Sequence, residues 1–264
     1  MGAAHLGVHG SARTLIAPQS SPPERRLLAE EVVVVLSLSL LASAVDAVLS
    51  YLEAPVNRGI PVALFPNSVA LARQLVDIVF ALAPVWLVVH LARRSGEGLK
   101  PFGLGTATFA QDVGWGALGA LGVAAVGLCI YLGAIALNVN RFVVPVPPLG
   151  HWWTVPILAL GALQNGLLEE VVAVGYLIHR LEQLRRPSAA AIAASALLRG
   201  CYHLYQGWGG FAGNLVLGLA FGYAFTRWRR TWPLVTAHFV VDTLAGVGYI
   251  LFRGHCFGSL CIPH

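Results

Sequence analysis

The sequence predicts an all-α polytopic membrane protein of about seven transmembrane helices, with a polar core formed by the last four. Three observations predict it. Apolar residues make up 57 % of the 264-residue chain and charged residues only 11 %, whereas a soluble domain carries about 25 % charged residues. Mean hydropathy is +0.72. Apolar runs of about 20 residues, the length that crosses a bilayer, recur between clusters of Pro and Gly. A chain so short of charge cannot cover itself with a polar surface, and lipid is the solvent it suits.

Residues 1–28 are polar and hold Pro18, Ser20, Ser21, Pro22 and Pro23. They read as a disordered cytoplasmic lead-in. A signal peptide is not expected, because the apolar run begins late and no small-residue cleavage site follows. The transmembrane helical domain is expected at 29–252, with spans at 29–52, 69–91, 113–137, 153–178, 189–205, 211–225 and 232–252. Residues 253–264 form a short external tail. Asp46, Arg73 and Asp77 fall within the first two spans and read as paired or snorkelling groups. Small residues recur at Gly116, Gly119 and Gly122, and at Gly218 and Gly222, where they suit close helix packing.

The basic residues orient the chain. With the N-terminus in the cytoplasm, the inner segments hold Arg13, Arg25, Arg26, Arg93, Arg94, Lys100, Arg180, Arg185, Arg186, Arg227, Arg229 and Arg230, while the outer ones hold Arg58, Arg141 and Arg253. Such a bias sets topology. The expected location is therefore the cell membrane, multi-pass, with a cytoplasmic N-terminus. The net charge of +5 then reflects orientation and attraction to anionic membrane lipid. No basic patch with interleaved aromatics marks a nucleic-acid surface. Cys129 and Cys201 lie within spans. Cys256 and Cys261 fall in the tail, where they suit a local disulfide or, with His255 and His264, a Cys/His metal cluster. No P-loop, dinucleotide fingerprint or HExxH is present.

Glu169 and Glu170 stand in the middle of an apolar run. A carboxylate at that depth costs about 2.5–3.5 kcal/mol on insertion scales and is a functional candidate by default. On an α-helix the two are about 100° apart, so one faces a reaction and the other secures it. Asn165, at i−4 from Glu169, continues the polar face. Arg199 and His203 are at i and i+4 on the fifth span, as are His238 and Asp242 on the seventh, so each pair shares a helix face. Facing all three stripes inward makes one cavity with carboxylates and two histidines, which is the equipment for hydrolysis.

These residues resemble the three motifs of the CPBP family, also called Abi or type II CAAX prenyl endopeptidases. The family pattern is roughly EExxxRG, FxxxH and Hxxx(N/D) on successive helices. Here it reads Glu169-Glu170 through Gly175, Tyr202-His203, and His238 with Asp242. The resemblance covers about residues 150–245. Two positions depart from the pattern: Val174 stands where the family has Arg, and Arg199 where it has Phe. A swap in space is expected, with Arg199 pairing with Glu169 or Glu170.

The resemblance implies an intramembrane endopeptidase acting on a membrane-anchored peptide or protein, prenylated or otherwise. Glu169 would act as general base with help from His203, Glu170 would orient the set, and His238 and Asp242 would stabilise the oxyanion or hold the water. Arg199 and Asn165 are supporting residues. Glu169, His203 and His238 could equally hold Zn²⁺ as catalytic zinc sites do, so metal dependence stays open. Two other classes compete: a non-proteolytic membrane protein of the same fold, serving bacteriocin self-immunity or as a scaffold, and a proton-coupled transporter.

Overall fold

The computed structural model describes residues 22–52, 67–137, 139, 149–257 and 260–261. The chain runs through helices α1 (Pro22–Ser37), α2 (Leu40–Leu52), α3 (Asn67–Ala81), α4 (Ala83–Arg94) and α5 (Phe109–Ala136). Then come α6 (Thr154–Leu168), a π-helical segment (Glu169–Tyr176), α7 (Leu177–Gln183), α8 (Ser188–Tyr202), α9 (Trp208–Trp228) and α10 (Trp232–Phe252). Two strands of two residues, Cys256–Phe257 and Leu260–Cys261, pair antiparallel in the tail and set Cys256 opposite Cys261. The protein is an all-α polytopic membrane protein.

Among the described residues five helices are long and apolar enough to cross a membrane: Val69–Arg94, Phe109–Ala134, Thr154–Gln183, Trp208–Trp228 and Trp232–Phe252. The bent pair α1–α2 makes a sixth. Seven spans were expected, and the difference lies in the fifth. Residues 189–205 fall short of a full-length span: α8 has 15 residues, or about 22 Å at 1.5 Å per residue, although the chain still changes sides there, since α9 returns to place Arg229 on Glu182. α8 stops at Tyr202, where His203 leaves helical geometry, and after one 3-10 turn (Leu204–Gln206) Gly207 redirects the chain at φ 92, a left-handed conformation open to glycine. The polar lead-in expected through residue 28 is also shorter, since α1 is already helical at Pro22. Residues 1–21, Arg58, Arg141 and His264 lie outside the described residues.

The breaks have local causes. α1 and α2 meet at 50°, where the Ser39 hydroxyl donates to the Val35 carbonyl at 2.6 Å and draws it from the helical ladder. Pro84 sits in the first turn of α4 and cannot bond to the preceding turn, which separates α3 from α4.

The helix from Thr154 to Gln183 is the axis of the bundle. Its most apolar window is 61 % buried inside the protein, against 11 to 28 % for the other four. Two close approaches seat it. A Cβ on Gly166 would come within 3.1 Å of the Val235 carbonyl of α10, and one on Gly175 within 2.7 Å of the Phe102 carbonyl. Thr231, just before α10, donates its hydroxyl to that same Phe102 carbonyl at 2.8 Å. Gly218 and Gly222 of α9 serve contact with α8: Ala196 and Ile192 occupy the space where their side chains would be. In α5, Gly116 meets Pro233 and Thr236, while Gly119 and Gly122 face open space.

A polar clamp fixes one end of this axis. Arg180, 2 % exposed, donates to Glu31 of α1 at 3.0 Å and to Glu97, in the turn after α4, at 2.5 Å. Tyr176 donates to Glu31 at 3.0 Å, and His179 and Gln183 donate to Glu97 at 2.8 and 2.7 Å. The guanidinium also sits 5.0 Å over the Phe102 ring. Burial alone would push the Glu97 carboxyl up, but hydrogen bonds from Arg180, His179 and Ser95 hold it at about 2, below its ordinary 4.5. A depressed carboxyl contributes stability that is fully present above its unfolded value and is lost as pH falls through the folded one. Melting temperature should therefore hold from pH 7 to 5 and drop between about 4.5 and 2. Glu97→Gln should melt lower at pH 7 and lose less on acidification; an acid profile identical to wild type would remove Glu97 from the account.

Candidate active site

The π-helical segment begins at the two glutamates. Wider winding rotates successive side chains less than an α-helix does, and π segments concentrate at functional sites. Both glutamates consequently reach α8. Arg199 NH1 donates to Glu170 Oε1 at 2.7 Å, and Arg199 NH2 lies 3.2 Å from Glu169 Oε2. Tyr202, one turn further along α8, donates its hydroxyl to Glu169 Oε2 at 2.9 Å.

From α10 comes His238. Its Nδ1 donates to Glu170 Oε1 at 2.8 Å, and Arg199 NH2 is 3.1 Å from the same nitrogen. Its Nε2 faces Asp242 Oδ2 at 3.3 Å. Each ring nitrogen of His238 therefore faces a carboxylate. Gly166 lets α10 come this close, because a Cβ there would crowd the Val235 carbonyl at 3.1 Å, while His238 Cβ at 3.6 Å would be in ordinary contact. Glu170 is fully buried, Arg199 2 % exposed and His238 6 % exposed, whereas Glu169 keeps 9 %. Of the pair, Glu169 is the one with an outlet.

His203 stands at the end of α8. Its Nδ1 donates to the Arg199 carbonyl at 3.0 Å. With Nδ1 carrying the proton, Nε2 of the neutral ring is left as an acceptor. The ring lies 4.8 Å from the ring of Tyr202. Because α8 is short, its C-terminal end brings Arg199, Tyr202 and His203 to the level of the glutamates.

Two expectations need revision. Asn165 is exposed, and its backbone carbonyl, which accepts the Glu169 N–H, is its link to the site. The projected stripe at i−4 misses because the helix changes winding at Glu169. The side chains that bring potential metal-binding atoms within 4.8 Å are Glu169, Glu170 and His238; His203, expected in that set, is not in it. Tyr202 was missed as a site residue. Its signal was available, since i+3 from Arg199 on one helix puts both on a shared face.

Arg199 and Val174 border the same apolar cluster. The guanidinium lies 5.5 Å over Phe221, and Val174 packs in the apolar cluster that contains Phe221.

Residues 151–244 match the family model described as Type II CAAX prenyl endopeptidase Rce1-like. The match is to the family that the glutamate, histidine and histidine–aspartate motifs resemble, and it encloses α6, the π segment and α7 to α9, with most of α10. At family level it supports a CAAX-type intramembrane protease. No curated protein and no solved structure matches the chain.

Removing one partner of a buried ion pair typically costs about 3–5 kcal/mol, because the other charge is left uncompensated. Arg199→Phe should therefore lower the yield of folded protein and its melting temperature sharply. Adding Val174→Arg should restore part of both. A double variant no better than Arg199→Phe alone would show that the two positions do not exchange.

Proposed function

We propose that the protein is an intramembrane endopeptidase that hydrolyses a peptide bond of a membrane-anchored substrate, a prenylated chain being one such substrate. The observation that carries this reading is the convergence of Glu169, Tyr202 and Arg199 next to His203, on helices that exclude bulk water. Glu169 takes a proton from water as its oxygen attacks the carbonyl carbon. Collapse of the tetrahedral species breaks the C–N bond, and the proton passes to the leaving amine. His203 Nε2, the ring nitrogen without a protein partner among those described, is suited to share that proton transfer. Glu170, Arg199 and His238 are positioning residues. With both its nitrogens facing carboxylates, His238 is better fitted to hold Glu170 and Arg199 than to receive an oxyanion.

The donor set does not suit a resident zinc ion. Arg199 already supplies a cation to both carboxylates and touches His238. Among the described residues Glu170 Oε2 is an acceptor without a donor and Arg199 Nε a donor without an acceptor. Water can serve both; a dication serves the first and repels the second. Arg199 is accordingly the cation of the proposed site.

The test is cleavage of lipidated and transmembrane peptides by purified protein, with and without chelator. Glu169→Gln and His203→Ala should each lose at least about a hundredfold in rate, the usual scale of a lost acid–base group, while still inserting and purifying. Asp242→Asn should retain activity, because the amide oxygen still accepts from His238. Full activity in Glu169→Gln would end the protease reading. Loss of activity and of bound metal in Asp242→Asn would end the metal-free one.

We also propose a cytoplasmic N-terminus in the cell membrane, supported by the distribution of Arg and Lys, with substrate entering from the inner leaflet. Its partners are membrane lipid and the anchored substrate, with no nucleic acid. A cysteine placed at Arg185 should label from the cytoplasmic side; labelling from outside alone would reverse the orientation.

A further inference from the structure

α2 is apolar apart from two serines, a tyrosine and one charge, Asp46. Between this helix and the turn that follows α8 lies a groove of about 390 Å³, lined by Ala42, Ser43, Asp46, Ala47, Tyr202 and Tyr205. The small residues of α2 leave the space, and the tyrosines form the opposite wall.

Both tyrosines lead to the site. Tyr202 is hydrogen-bonded to Glu169. The Tyr205 ring is stacked 6.2 Å from the His203 ring and its hydroxyl accepts from Gln206 at 3.0 Å. The groove is therefore separated from Glu169 and His203, the residues proposed to activate water, by the tyrosines that touch them. The α2 wall is fixed at both ends. Leu40 and Ala44 are buried in the main apolar cluster, and Tyr51 meets the Trp208 ring edge-on at 5.9 Å. A wall already held in place loses little freedom when a ligand binds.

Asp46 is exposed on this wall. Among the described residues no hydrogen bond or ion pair engages its carboxylate. An ionised carboxylate can only accept, and its attraction for a cation strengthens where apolar surroundings lower the dielectric. Among the described residues no Lys or Arg forms an ion pair with it, and a cation carried by a ligand would meet an acceptor here. A cleft of several hundred Å³ suits a short piece of extended chain.

We propose that this groove is the subsite for the part of the substrate next to the scissile bond, and that Asp46 selects substrates with Lys or Arg there. The occupant is an extended segment of a membrane-anchored protein. The proposal deepens the protease reading and rests on it for the identity of the occupant.

Binding tests it separately from turnover. Lipid-anchored peptides that are identical except for Lys, Gln or Glu at one position beside the expected cleavage point are titrated against Glu169→Gln protein in nanodiscs. The Lys peptide should bind about tenfold more tightly than the Glu peptide, the scale of one charged hydrogen bond. Adding Asp46→Lys should invert the order, and Asp46→Asn should flatten it. Wild-type cleavage rates on the same peptides give a second reading that does not depend on how well Glu169→Gln folds. Equal affinities for all three peptides, or an order unmoved by Asp46→Lys, would overturn the subsite. Charge-dependent binding without any cleavage would keep the subsite and sink the protease reading. Cleavage of all three at equal rates would do the opposite.

Discussion

One guanidinium organises the centre of this protein. Arg199 reaches both glutamates of the axial helix and touches the histidine of α10, so three helices meet on a single cation. Two carboxylates side by side in an apolar bundle repel each other and lack water. A shared cation answers both problems at once. Such an arrangement does not make the fold cheaper than an apolar core would. What it contributes is register, because α6, α8 and α10 have one relative position in which all the charges are matched.

Backbone winding is what makes the arrangement geometrically available. In an α-helix two consecutive side chains diverge by about 100°, and Arg199 could engage one of them well. The π segment from Glu169 to Tyr176 narrows that divergence. Glycines on either side allow the segment to be approached closely: Gly166 by α10, and Gly175 by the turn at Phe102. The glutamates differ in consequence. Glu170 points into the meeting of helices and is sealed, whereas Glu169 retains an edge towards Tyr202 and the groove beyond it. The division of labour proposed for them, one carboxylate securing and one reacting, rests on this difference in access.

Much of this could be read from residues alone. Composition gave the membrane class, and the pairing of Arg199 with the glutamates was expected from the resemblance, whose pattern has Arg where Val174 stands and Phe where Arg199 stands. The polar pairs at i and i+4 located the faces of α8 and α10. What escaped was whatever depended on backbone departure from regularity. Hydropathy registers apolar runs but not the turn at Gly207, so 189–205 looked like a span. The same limit hid the bend at Ser39 and extended the lead-in past Pro22. Asn165 was misplaced and Tyr202 overlooked because an ideal α-helical projection was carried through Glu169, where the winding changes. The Arg180 clamp was invisible for another reason: Glu31, Glu97 and Arg180 are far apart in sequence, and Arg180 read simply as one of the orienting charges.

The brevity of α8 has a consequence for the lipid around it. At about 22 Å it falls short of the roughly 30 Å of hydrocarbon that its neighbours cross. Bilayers meet a short element by thinning locally or by letting polar groups draw the interface inward. Either response shortens the oily path on the flank where Tyr202 and His203 end the helix. Hydrolysis inside a membrane needs water as a reactant, and a shallow place in the bilayer beside the reacting carboxylate is a means of delivering it.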